Sequence, residues 1–309
     1  MNKYNALVIL GATATGKTKL ATQLAYHFNG EIISADSRQV YKDMDIGTGK
    51  DLEDYSINNQ SVRHHLIDIV PAGSKYHIHQ FKQDFSNAFL QTINNKKLPI
   101  ICGGSGLYLQ ACLFDLPFTA VPINSDLRNK LQHIEKQTLL KMLAQIPATI
   151  YTPHIDTSSS KRIIRAIEIN SWLQNHTLPL KVNNAVTPFV IGLQCDRAVL
   201  IQRISNRLSM RLENGLIDEV ARLKENGLEN ELQYYGLEYK FVLQYLQGFL
   251  SSDQLQDKLG TAINQFAKRQ VTFFKKLERE GLKINWLDAA MPQQTILNEA
   301  IDLVTPHFI

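Results

Sequence analysis

Residues 11–18 read Gly11-Ala12-Thr13-Ala14-Thr15-Gly16-Lys17-Thr18, which fits G-x-x-x-x-G-K-[ST]. This spacing suits the grip of a phosphate. The glycines let backbone N–H groups curl round an anion, and a following helix turns its positive end toward it. Lys17 would neutralise phosphate oxygens, and the Thr18 hydroxyl would ligand Mg²⁺. The usual occupant of such a loop is a nucleoside triphosphate, but a diphosphate leaving group fits the same cradle, so the acceptor side must decide. Further along, Glu31-Ile-Ile-Ser34 runs into Ala35-Asp36-Ser37-Arg38-Gln39-Val40-Tyr41. A carboxylate just past a strand can ligand Mg²⁺, take a proton from a nucleophile, or simply cap a helix. Gly103-Gly104-Ser105-Gly106-Leu107-Tyr108 forms a second glycine turn, where Ser105 either donates to a ligand or caps the next helix.

The surrounding elements account for how these residues could meet. Ala6–Leu10, Glu31–Ser34, His65–Val70 and Leu98–Cys102 are strand-like apolar runs, separated by helical periodicity at Lys17–Phe28 and His79–Ile93. Such alternation is the mark of a buried parallel sheet with covering helices, whose ligands bind beyond the carboxyl ends of the strands. From about Asn124 the pattern becomes helical, with helices expected over Ser125–Leu143 and Ser160–Leu173. Pro188–Gln194 and Lys283–Leu287 then return as strands, with helices at Arg197–Glu213, Leu216–Glu225 and Ser252–Glu280. The expected fold is an α/β P-loop core, 1–122 with 188–309, interrupted by a helical insertion at 123–187.

Composition narrows the classes. Of 309 residues, 44% are hydrophobic and 20% charged, which excludes a disordered chain. No apolar run reaches the roughly 20 residues of a membrane-spanning helix, and the amino terminus lacks a signal-peptide cleavage site. Cys102, Cys112 and Cys195 form no CxxC pair, so neither a disulfide framework nor a zinc site is expected. His64-His65 and the His77/His79 pair are read as structural. A cytoplasmic monomer is expected, and the formal charge of +4 permits a polyanionic partner without requiring one.

Taken together, the Gly11–Thr18 loop, Asp36–Tyr41, Asp45-Ile-Gly-Thr-Gly-Lys50, His64–Asp68, Gly103–Tyr108 and Ala267-Lys-Arg-Gln-Val-Thr272 resemble the bacterial tRNA dimethylallyltransferases, also called tRNA isopentenyltransferases, over nearly the whole chain. The resemblance implies transfer of a dimethylallyl group from dimethylallyl diphosphate to the exocyclic amine of the adenosine 3′ of the anticodon. It gives the phosphate loop the diphosphate to hold, with Mg²⁺, and makes Asp36 the general base. Ser105 stands where the family usually has Thr and keeps the hydroxyl. Arg207 matches a diphosphate-binding arginine. Arg203 and Arg211 share its helical face at four-residue spacing and are read as a solvated basic stripe.

For the tRNA, the resemblance points to Asp36, Ser37, Arg38 and Gln39, to Ser105 and Arg128, to Lys161, Arg162, Ile163, Ile164 and Arg165, and to Lys268, Arg269 and Gln270. Leu259–Lys283 carries six basic residues against two acidic, with Phe266, Phe273 and Phe274 interleaved. Basic groups beside aromatic faces suit a single-stranded loop, although an amphipathic helix would place the phenylalanines in the core. Some segments depart from the family. His154–Ser160 replaces His-Pro-Asn-Asp, Glu238-Tyr239-Lys240 replaces Gly-Tyr-Lys, Ile263-Asn264 replaces Thr-Arg, and Thr272-Phe273 replaces Thr-Trp. These departures are expected on the RNA side and away from the phosphate. The competing readings are a prenyltransferase for free adenine nucleotides, a P-loop kinase and a non-catalytic RNA-binding protein.

Overall fold

The computed structural model describes residues 3–178 and 186–308. Strands β1 (Ala6–Gly11), β2 (Gly30–Ser34), β5 (His64–His65), β6 (Leu98–Gly103), β7 (Pro188–Gln194) and β8 (Asn285–Asp288) form one sheet in the order β5-β2-β6-β1-β7-β8, with every pair parallel. The short antiparallel pair β3 (Ser56–Ile57) and β4 (Gln60–Ser61) stands apart. Central β1 is buried along its whole length, as its uninterrupted apolar run requires.

Helices α1 (Lys17–His27), α2 (Ile78–Asn94) and α3 (Gly106–Leu113) follow strands of the first half. In the second compact unit, α4 (Ser125–Leu131), α5 (Lys136–Ala144) and α6 (Ser160–Leu173) surround a core of Leu131, Leu139, Ile163, Ile164 and Ile167. Helices α7 (Arg197–Glu213), α8 (Leu216–Leu223), α9 (Glu229–Tyr235), α10 (Leu237–Leu246) and α11 (Ser252–Arg279) follow β7, and α12 (Gln293–Phe308) closes the described chain. The compact units are Met1–Phe114 with Ala185–Ile309, and Asp115–Asn184.

Leu20, Ala21 and Leu24 of α1 and Ile296, Ala300 and Val304 of α12 share a core with the sheet side chains Leu7, Ile9, Ile32, Ile100 and Ile191. Helix α2 buries Phe81, Phe85 and Phe89, at four-residue spacing, and lies against β2 and β6. A second cluster joins α7, α8, α10 and α11 to Val40, Tyr41 and Met44 of the loop after β2. This cluster carries the long helices to the edge of the sheet where the phosphate loop opens. The chain leaves β1 toward β2 on one side and leaves β6 toward β7 on the other. Adjacent strands with diverging connections open a crevice at their carboxyl ends, and the glycine turns after β1 and β6 lie there.

Two expected elements are shorter than their patterns. The run His65–Val70 pairs with β2 only through His64 and His65. Leu66 and Asp68 take left-handed backbone angles that no strand tolerates, and the Ile69 and Val70 N–H groups donate to Val40 O instead. The helix expected over Ser125–Leu143 divides into α4 and α5. Among the described residues no helix is long and apolar enough to cross a membrane.

Candidate functional site

The phosphate loop joins β1 to α1. Gly16 has φ 84°, a left-handed angle that favours glycine, and it begins the helix. Thr15 Oγ1 donates to Ala12 O at 2.8 Å, and Lys17 Nζ reaches back to the same carbonyl at 3.4 Å. Burial lowers the Lys17 pKa, and nearby Arg207 lowers it further, against the raising effect of Cys102 and Asp36. A lysine so desolvated gains from an anion that restores its lost solvation.

Gln270 buttresses this loop. Its side-chain Oε1 accepts from Thr13 N–H at 2.9 Å, and its Nε2 donates to Gly104 O at 2.8 Å. Only 6% exposed, it ties the glycine turn after β6 to the one after β1 from its place on α11. Gln270 was expected to contact RNA; it lines the cleft, but both ends of its amide are used inside the protein. Lys268 and Arg269 beside it are exposed.

Asp36 follows β2. Its Oδ1 accepts from Arg38 N–H at 2.9 Å, a local turn with no helix to cap, and its Oδ2 accepts from Ser105 Oγ at 3.4 Å. Ser105 Oγ in turn accepts from Ser37 N–H at 3.2 Å, so Ser105 makes no capping bond to α3. Gln39 faces inward: it accepts from Ser34 Oγ at 2.8 Å and donates to Gly49 O at 3.1 Å. Its position is that of a strut between β2 and the following loop. The Arg38 guanidinium lies 5.6 Å from the Phe266 ring centre and 3.5 Å from Glu238, while that of Arg269 lies 5.9 Å from the same ring. Phe266 therefore lines the cleft, whereas Phe274 is in the core, 1% exposed.

The loop Asp45–Lys50 is held from below. Glu219 of α8, 4% exposed, accepts from Asp45 N–H and Ile46 N–H at 2.8 Å each, from Gly47 N–H at 3.0 Å and from Tyr239 Oη at 2.7 Å. Burial and the Glu219 charge push the Tyr239 pKa far up, so the phenol remains a donor. Lys50 is fully buried between Asp45, at 2.6 Å, and Asp68. A side chain on Gly49 would collide with the Arg211 and Arg207 guanidinia, which pack on its backbone.

Arg207 stands 3.5 Å from Thr13 Oγ1 and pairs with Asp51. Arg211 is not on a solvated stripe. Its side chain is 14% exposed and lies 3.8 Å from Asp51 and 3.9 Å from Glu238. Burial and then Arg207 lower its pKa. Glu238 and Ile263 also line the cleft, so these two departures from the family pattern are not confined to a remote RNA face. Helical spacing singles out Arg211 but on a solvated face, and neither Asp51 nor Glu219 stands out in the sequence. The signal for Glu219 was legible: a carboxylate on the apolar face that carries Leu216, Val220 and Leu223.

In the second unit, Arg128 pairs with Glu168 at 2.7 Å and Arg165 pairs with the same carboxylate. Arg165 also donates to Val121 O at 2.8 Å and Phe118 O at 3.1 Å. Ile163 and Ile164 are core, 0% and 6% exposed, which corrects their expected role at the RNA surface. Lys161 and Arg162 are exposed, and Arg162 pairs with Asp156.

A cleft of about 520 Å³ gathers Thr13, Lys17, Thr18, Asp36, Ser105 and Arg207, with Arg38, Phe266 and Gln270 on its wall. Its oxygen donors suit Mg²⁺, which takes few protein ligands when phosphates and water complete its shell, and Thr18 lines this space. Glycine loop, carboxylate and aromatic wall at one edge of a parallel sheet define a P-loop-like α/β protein.

Residues 39–277 match the model of the IPP transferase family, and the chain belongs to that family. It is 43% identical over 305 residues to tRNA dimethylallyltransferase 2 of Phocaeicola vulgatus, covering 98% of this chain and 99% of the relative. The fold is similar to that of the tRNA isopentenylpyrophosphate transferase of Bacillus halodurans, with TM-score 0.71 and 30% identity, covering 98% of this chain and 97% of the other. The tRNA delta(2)-isopentenylpyrophosphate transferase of Staphylococcus epidermidis gives TM-score 0.67 and 32% identity, covering 97% of this chain and 98% of the other.

Proposed function

We propose that this chain is a tRNA dimethylallyltransferase. It moves the dimethylallyl group of dimethylallyl diphosphate onto N6 of the adenosine 3′ of the anticodon and releases diphosphate. The observation that carries this reading is the opening of the Lys17 loop and the Asp36 carboxylate onto one cleft, in which Ser105 Oγ donates to that carboxylate. Diphosphate would lie against the loop, with Lys17 and Arg207 countering the charge that grows on its oxygen as the allylic C–O bond breaks. Fixed positive groups in a partly desolvated cleft act most strongly where charge develops. Mg²⁺, ligated by Thr18 and the phosphate oxygens, would supply further charge neutralisation.

The amine of adenine is a weak nucleophile. It needs orientation as well as proton removal, each a recognised source of rate. In this reading Asp36 Oδ2 accepts its hydrogen bond, the N6–C bond forms as the C–O bond breaks, and the N6 proton passes to Asp36. Ser105 holds that carboxylate by its hydroxyl, and the Arg38 N–H fixes the other oxygen. The Arg38–Phe266–Arg269 array offers a cationic and aromatic wall for a base drawn out of the anticodon stack. Exposed Lys268, Arg269 and Lys161 would track phosphates, and a single chain supplies every residue named. The test offers dimethylallyl diphosphate with tRNA or with AMP. Transfer to tRNA is expected; transfer to AMP alone would make the chain an adenylate prenyltransferase, and phosphate transfer from ATP a kinase.

A further inference from the structure

We propose that Asp51 is an internal stand-in for the donor's diphosphate, holding Arg207 and Arg211 together until the diphosphate displaces it, and that Arg211 is a second guanidinium for that anion. The inference rests on the reading of the cleft as a diphosphate site and names a residue pair that the family motifs do not contain. Three observations carry it. Both guanidinia converge on the Asp51 carboxylate at the mouth of the phosphate loop, Arg207 within 3.5 Å of Thr13 Oγ1. Arg211 Nη2 is buried, donates no hydrogen bond and stands 3.8 Å from Asp51 Oδ1, too far to be satisfied by it. A buried donor left without a partner is costly, and an incoming anion with more oxygens than a carboxylate removes that cost. Gly49 supplies the room, since a Cβ there would fall 1.9 Å from Arg211 Nη2.

Asp51 is suited to leave. Its side chain is 43% exposed, and its backbone is left-handed at φ 45°, ψ 57°, a strained state for a non-glycine residue. Glu238, 3.9 Å from Arg211 and 3.5 Å from Arg38, would hold Arg211 in place after the exchange. Displacement of one carboxylate by the diphosphate makes donor binding a competition inside the site, and the removal of the competitor should strengthen it.

The experiment measures inorganic pyrophosphate binding by calorimetry for the full chain and for Asp51→Asn, Asp54→Asn and Arg211→Gln. Asp54 lines the same cleft but pairs with Lys19 at 3.7 Å, so its variant makes the same change in net charge without touching the arginines. Asp51→Asn is expected to bind roughly three- to tenfold more tightly than Asp54→Asn, and Arg211→Gln roughly three- to tenfold more weakly than the parent. Asp51→Asn no tighter than Asp54→Asn, or Arg211→Gln equal to the parent, overturns the inference while leaving the transferase reading intact. A parent chain that binds no pyrophosphate brings down the diphosphate reading and this inference with it.

Discussion

Asp36 has one oxygen committed to the Arg38 N–H and the other turned to Ser105 and the cleft. Asparagine keeps the first bond and cannot take a proton, so Asp36→Asn should lower kcat by about 10²–10⁴ with the thermal midpoint and tRNA affinity nearly unchanged. Unaltered turnover would remove the base assignment. Gln270 and its neighbours separate just as cleanly. Gln270→Leu leaves the Thr13 N–H and Gly104 O unsatisfied, at a cost of about 1–3 kcal/mol, and should raise KM for the prenyl donor. Lys268→Ala with Arg269→Ala should instead weaken tRNA binding and flatten its log–log salt slope by about 2, measured by filter binding. The Gly11–Thr18 loop was legible because its grip is local, made by consecutive residues. The buttressing role of Gln270 was not legible, because it depends on a glycine turn 166 residues away.

At the scale of elements, helix α8 shapes the site without touching it. Glu219→Ala removes the acceptor for three backbone N–H groups of Asp45–Gly47 and for Tyr239, and should cost about 2–4 kcal/mol by denaturant titration, with KM rising as Gly49 and Asp51 loosen. Helix α6 gives a test in pH. Burial would raise the Glu168 pKa, but the Arg128 and Arg165 hydrogen bonds outweigh it and hold the carboxyl below the ordinary 4.5. A carboxyl depressed on folding contributes stability above its unfolded pKa, and that contribution is lost as pH falls through the folded value. Glu168→Gln should therefore be the less stable protein at pH 7, with the gap to the parent closing below about pH 4.5 in acid-unfolding curves. A constant gap would contradict the ion-pair account. Strand and helix order along the chain was legible from periodicity. The early end of β5 was not, since the left-handed turn at Leu66 and Asp68 is set by contacts with Gln39 and Val40.

For the whole molecule, the sheet brings three loops that are far apart in sequence to one edge: the turns after β1, β2 and β6. This convergence follows from strand order, which local patterns do not state. Apolar runs that read as a parallel sheet nonetheless implied it, because the ligands of such sheets bind beyond the carboxyl ends of the strands. Arg211 shows the limit of face-counting on a helix, because the surface it faces belongs to the loop before Asp51. The formal charge of +4 is small beside the phosphate charge of a tRNA, so affinity should depend on the placement of a few cations rather than on net charge.

The most direct test of the central claim is nucleoside mass spectrometry of unmodified tRNA incubated with the protein, Mg²⁺ and dimethylallyl diphosphate. The account predicts N6-dimethylallyl-adenosine at the position 3′ of the anticodon, with equimolar diphosphate released, and initial rates lower by about 10² or more with Asp36→Asn or Lys17→Ala. Unmodified tRNA after incubation with folded parent protein, or equal product from the Asp36 variant, would contradict it.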